Sequence, residues 1–350
     1  MSLLYIDSFD HYQTAQITSK WSTLSTPGAH TIVEDVGRCD TNALRVGGGA
    51  GISLVKGLSF AGSMGIAGFA FQVTEQTTSA GTFFQVITAG AGFVTLSLAR
   101  LLDGAIRIQR QDLSPVTLAT TAPDTVRVGN WYYLELRWVL SNTVGEIQFR
   151  VNGVEIVTLT GIDTVANAAG TSTTPSGIIL LCSANLNYLV DDLYVLDDAG
   201  GAPNNAFLGD TRVEYLRPTA AGFHQDWALV GKPSHWEAVD DGDSPDGDTS
   251  YIHTATAGEH DTELYENTGL PSGTIFGVQI GLYARKTDSG FREVAPLIRH
   301  AGTTYSGASQ PPSFASYLYL LELFETNPGT GLAWTIPDVN NAEFGVRLAL

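Results

Sequence analysis

At 350 residues, with 43% hydrophobic and only 15% charged residues, the chain is long enough for two cores and too apolar for disorder. Its 18 Lys and Arg against 36 Asp and Glu give a formal charge of −18, which disfavours a nucleic-acid backbone or an anionic bilayer as partner. No apolar run approaches the ~20 residues of a spanning helix. The opening Met-Ser-Leu-Leu-Tyr-Ile-Asp has no basic segment, so it reads as a strand rather than a secretory signal, and synthesis in the cytosol is expected.

Short alternating runs separated by scattered Gly and Pro predict an all-β chain. In chain order the first strands are expected at Leu3 to Ile6, Ala43 to Val46, Met64 to Val73, Thr82 to Ile87, Val94 to Leu98 and Ala105 to Arg110. The clearest follow at Trp131 to Leu140, Glu146 to Val151 and Val154 to Leu159. Tyr132, Leu134, Leu136 and Trp138 share one face, and Tyr133, Glu135 and Arg137 the other. Asn152-Gly153 supplies a type I′ turn that sets Val151 opposite Val154, Phe149 opposite Ile156 and Ile147 opposite Thr158. Gly177 to Cys182 and Tyr188 to Leu196 complete a first domain at 1–198, which the strand count assigns to two antiparallel sheets in jelly-roll or similar topology.

The turn-forming stretch Asp197 to Asn205 marks a boundary, giving a linker at 199–206 and a second β-sandwich at 207–350. Its strands are expected at Thr211 to Leu216, Ile275 to Tyr283, Val294 to Arg299, Tyr317 to Phe324 and Gly345 to Leu350. Thr335-Ile-Pro-Asp338 reads as a helix start, with a short helix near 337–343 and Gly345 as its stop. Phe344, Val346, Leu348 and Leu350 are too apolar for a free end and are expected to be packed.

Chemistry-bearing residues are few. Cys39 and Cys182 are expected as buried free thiols. Between Lys232 and Arg285 lie ten Asp and Glu with no Lys or Arg, densest at Asp240 to Asp248. That residue mix suits calcium, but Pro245 falls where an EF-hand needs a ligand and Asp246 where it needs Gly, so the loop is read as solvated. His224, His235, His253 and His260 show no ligand spacing and are read as surface or loop residues. The first domain lacks a pair of acids on alternate strand positions; Asp191-Asp192 are adjacent and expected on opposite faces, and Glu135, Glu146 and Glu155 are expected in solvent. Trp21, Trp227 and Trp236, in loop-like contexts, are read as core or interface anchors rather than sugar-stacking rings. No catalytic, cofactor-binding or metal-ligating residue is assigned, and no enzymatic activity is expected.

Several stretches together resemble a known family. Leu-Leu-Tyr-Ile-Asp-Ser-Phe-Asp-His-Tyr12, the Trp131 strand with Val-Asn-Gly153, and Tyr-Leu-Val-Asp-Asp-Leu-Tyr-Val-Leu-Asp197 resemble the concanavalin/laminin-G type domain of tailed-bacteriophage virion proteins. Phe-Leu-Gly-Asp-Thr-Arg-Val-Glu-Tyr-Leu-Arg-Pro218, His235-Trp, Asp-Gly-Asp-Thr-Ser-Tyr-Ile252 and Ala-Trp-Thr-Ile-Pro-Asp-Val-Asn-Asn341 are similar to the domain that often follows it. The resemblance implies that the first and last strands of the leading sandwich lie together. It also implies a non-enzymatic virion structural protein, tail-, baseplate- or fibre-associated, whose partners are other virion proteins and copies of itself. Capsid decoration and host-glycan binding are the alternative roles it implies.

Overall fold

The computed structural model describes residues 3–25, 28–49, 51–88, 94–112, 114–166, 172–184 and 186–350. It is all-β, with every named strand pair antiparallel, and divides into unit 1 (Met1–Val213) and unit 2 (Glu214–Leu350). The division falls later than the expected linker at 199–206, for a reason visible in the hydrogen bonds of 207–213 described below.

Unit 1 holds β1 (Leu3–Asp7), a short helix α1 (Ile17–Lys20), β2 (Thr23–Leu24), β3 (His30–Val33), β4 (Ala43–Val46), β5 (Ile52–Gly57), β6 (Met64–Val73), β7 (Gly81–Thr88) and β8 (Val94–Arg100). After these come β9 (Ile106–Arg110), β10 (Val116–Thr120), β11 (Trp131–Val139), β12 (Gly145–Val151), β13 (Val154–Ile162), β14 (Pro175–Cys182) and β15 (Tyr188–Asp197). One sheet runs β13-β12-β11-β6-β15-β4-β3, with β1 also paired to β15; the other runs β10-β9-β8-β7-β14-β5-β2. The two form a concanavalin-like jelly-roll sandwich. Phe69 and Phe71 of β6 meet Phe84 and Phe83 of β7 with ring centroids 5.3 and 4.4 Å apart, and Tyr188 spends its hydroxyl on the Phe83 and Leu181 carbonyls.

The Asn152-Gly153 turn forms with φ of 50° and 76°, and Val151 pairs with Val154 as expected. Beyond it the register differs: Phe149 faces Val157 and Ile147 faces Leu159, because a bulge between Phe149 and Arg150 leaves Ile156 as the extra residue. Val157 is thereby buried and Ile156 left exposed.

Tyr133 and Glu135 lie on the face of β11 that alternation assigns to solvent, yet both are buried. Glu135 accepts hydrogen bonds from Tyr194 and from the amide of Gly209, Tyr133 pairs with Thr211, and Asp192 accepts from the amide of Val213. Thr211 to Leu216 is thus no strand. Phe207–Val213 instead lies over the outer face of the first sheet and belongs to unit 1. Asp191 and Asp192 also depart from strict alternation: a bulge and a φ of 50° at Asp192 draw both towards Arg38, one to its amide and one to its guanidinium.

Unit 2 contains β16 (Pro218–Gln225), β17 (Ala228–Val230), α2 (His235–Ala238), β18 (Tyr251–His253), β19 (His260–Tyr265) and β20 (Val278–Ala284). It ends with β21 (Val294–His300), β22 (Thr303–Ser306), β23 (Leu318–Phe324), α3 (Ile336–Asn341) and β24 (Glu343–Leu348). A five-stranded sheet, β16-β19-β24-β21-β22, is covered by the two-stranded β20-β23 sheet through Ile280, Ile298, Trp334 and Phe344. Thr335 caps α3 in a reciprocal box with Asp338, as expected. Gly345 does not stop that helix; it sits inside β24, where a Cβ would run into the Asp261 carbonyl of β19. Phe344 and Leu348 are buried as expected, Val346 is half-buried, and Leu350 is exposed.

Candidate functional site

Alternation along β19 sends His260, Thr262 and Leu264 to one face and Asp261, Glu263 and Tyr265 to the other, where Tyr265 meets Phe344 edge-on. Asp261 and Glu263 therefore stand side by side on the covered face, 1% and 3% exposed. The short helix α2 brings His235 over them, its Nδ1 2.8 Å from Asp261 Oδ2. One donor atom from each of the three residues lies within 4.8 Å of the others.

The surroundings fix this group without neutralising it. The Trp227 amide donates to Asp261 Oδ2 at 3.3 Å, and Gln225 Nε2 donates to Glu263 Oε1 at 3.3 Å. Asp261 Oδ1 and Glu263 Oε2 are buried and take no donor from the surrounding residues, while the two carboxyls lie in hydrogen-bonding contact with each other. Among the described residues no Lys or Arg pairs with either carboxyl. Burial, with the two acids facing each other, pushes Glu263 up to about 8; burial pushes Asp261 up to about 7. Glu343, on the opposite face of the same sheet, shows the contrast: it accepts from Arg299, the Phe223 amide and Thr262. Two adjacent buried acids beside an imidazole have two chemical uses, holding a proton between them or holding a cation.

Of the four histidines read as surface or loop residues, the structure brings His235 into this cluster. His224 and His260 contact each other edge-on on the outer face, and His253 is exposed. The Asp-x-Glu alternation was legible in β19. Nothing local ties Asp261 to a histidine 26 residues earlier.

In the acidic loop three of the carboxylates take donors from the protein itself. Asp241 accepts from the Asp246 amide, Asp246 from Ser250, and Asp248 from Arg285 and Tyr317. In unit 1 the most contacted carboxylate, Asp7, is structural: Tyr5, Tyr12, Lys20, Trp21 and the Phe9 amide all donate to it. Burial alone would raise its pKa, but Lys20 and these donors hold it below the ordinary value. Trp21 is accordingly a core anchor at 2% exposure. Glu135, expected in solvent, is fully buried. Cys182 is buried, whereas Cys39, expected to be buried, is exposed; both are free.

No protein-family model and no curated protein sequence matches the chain. Among solved structures it is similar to Trypanosoma rangeli sialidase in complex with 2,3-difluoro-KDN, at 14% identity over 49% of this chain and 29% of that one, with a TM-score of 0.32. It is similar to the Ruminococcus gnavus IT-sialidase CBM40 bound to alpha2,3 sialyllactose, at 14% identity over 40% of this chain and 78% of that one, with a TM-score of 0.30. The alginate lyase AlgAT5, from polysaccharide lyase family 7, matches at 10% identity over 49% of this chain and 82% of that one, with a TM-score of 0.34. The expectation that the chain is no enzyme is therefore withdrawn, because a sialidase and an alginate lyase are among the structures it is similar to. At these values the likeness assigns neither a reaction nor a substrate, and the chain spans less than a third of the sialidase's length.

Proposed function

We propose that the chain is a structural component of a tailed-bacteriophage particle, placed in the tail, baseplate or fibre, where it joins neighbouring virion proteins and copies of itself. The observation that supports this reading is the pairing of β1 with β15, Leu3 opposite Leu196 and Asp7 opposite Leu193. These are the two stretches whose resemblance to phage virion domains implied a sandwich closed by its first and last strands. A role in assembly contacts is further supported by unit 2, which leaves Phe223, Phe291 and Phe314 at 67%, 67% and 53% exposure. Large apolar side chains held in water are characteristic of surfaces that meet a partner.

The test is mass spectrometry and antibody labelling of purified particles. Stoichiometric presence with label on the tail is the expected result. Label on the capsid moves the chain to decoration, and absence from particles removes the reading.

A further inference from the structure

We propose that His235, Asp261 and Glu263 form a binding site for one divalent transition metal of zinc's class. The site uses His235 Nδ1 and one oxygen from each carboxyl, and it is independent of where the protein sits in a particle.

Three observations converge. The donor set is one imidazole nitrogen and two carboxylates, the mixture taken by zinc and its first-row neighbours; calcium and magnesium favour all-oxygen shells, so the imidazole selects against them. Two oxygens, Asp261 Oδ1 and Glu263 Oε2, are buried in almost fully enclosed residues and take no donor from any residue outside the pair of acids. Buried polar atoms nearly always find a partner, and these two belong to carboxyls that, with His235, place one donor atom each within 4.8 Å of the others. The donors already lie close. A tetrahedral shell with bonds of about 2.0–2.2 Å sets its donors roughly 3.4 Å apart, against 2.8 Å between His235 and Asp261 and at most 4.8 Å across the group.

The supporting contacts are those a metal site needs. Gln225 holds Glu263 Oε1, the Trp227 amide holds Asp261 Oδ2, and β19 fixes both carboxyls on one rigid strand. His235 is the adjustable member, on a four-residue helix with 15% of its side chain exposed. Three protein ligands leave a further coordination position for water or an external group.

The experiment is titration of chelator-stripped full-length protein with Zn²⁺ and with Co²⁺, read by calorimetry and by the visible ligand-field band of cobalt. One equivalent is expected to bind, raising Tm, with Ca²⁺ producing neither signal. Glu263→Gln and His235→Gln, each checked for an unchanged near-ultraviolet circular dichroism spectrum in chelator, are expected to weaken binding more than about a hundredfold. Failure of the stripped wild-type protein to bind zinc or cobalt saturably overturns the proposal, however the variants fold. So does one-to-one binding that both folded variants retain, which would place the metal elsewhere.

Discussion

The two units apply the same alternating pattern to opposite effect. All of the largest fully buried side chains, from Trp21 and Trp138 to Phe83 and Phe84, belong to unit 1, whose sheets of eight and seven strands cover each other. Unit 2 sets a two-stranded sheet against five strands, gathers a smaller core around Trp334 and Phe344, and leaves three phenylalanines in water. Alternation makes a strand two-faced, but the partner layer decides how much of the apolar face is hidden. The units also treat buried acid differently. Asp7 in unit 1 is surrounded by donors, while Asp261 and Glu263 in unit 2 keep oxygens that take no donor from outside the pair.

The strongest way to break this contrast is at Asp7. Asp7→Ala strands Lys20, whose side chain is fully enclosed, and is expected to cost about 3–5 kcal/mol. Denaturant unfolding followed by tryptophan fluorescence measures it; a loss below about 1 kcal/mol would show that the charge is not carried by this pair.

A second test uses acid. Burial holds His30 neutral, lowering its pKa to about 4 against an ordinary value near 6.5. A depressed histidine contributes stability that is complete above the unfolded value and is lost as pH falls towards the folded one. The window is thus pH 6.5 down to 4, and the loss is on the order of 3 kcal/mol. His30→Gln should flatten the fall of Tm across that range relative to wild type. Parallel curves for the two proteins would mean His30 does not titrate there.

Smaller effects follow at the turn and the surface. Gly153→Val places a branched residue at φ 76° with open space around it, so only backbone strain acts, costing about 1–2 kcal/mol. An unchanged Tm would contradict the turn. Phe223→Ser should alter stability by less than about 0.5 kcal/mol, yet reduce incorporation into particles. Normal incorporation would show that this exposed ring is not a contact.

The three strands between Trp131 and Leu159 were legible because each strand and its turn are local. The bulge at Ile156 was not, since either neighbouring residue satisfies the pattern and only packing chooses Val157 as the buried one. The burial of Tyr133 and Glu135 was hidden for a related reason: their cover, Phe207–Val213, lies far along the chain and hydrogen-bonds mainly through backbone amides that any sequence supplies. At β19 the paired acids were written in the strand, whereas His235 arrives through the fold. Local chemistry could therefore suggest two members of the site and not the third.

The pairing of β1 with β15 also sets an order of events during synthesis. Leu3 emerges from the ribosome nearly the whole length of unit 1 before Leu196, its neighbour in the sheet, so the opening strand must wait unpaired while the chain grows. Until β15 arrives to join β6, β4 and β1, the first sheet lacks the strand that links its halves, and hydrophobic edges stay open to stray pairing. Slow elongation through the stretch coding β14 and β15 would lengthen that vulnerable interval, and chaperone demand should peak there.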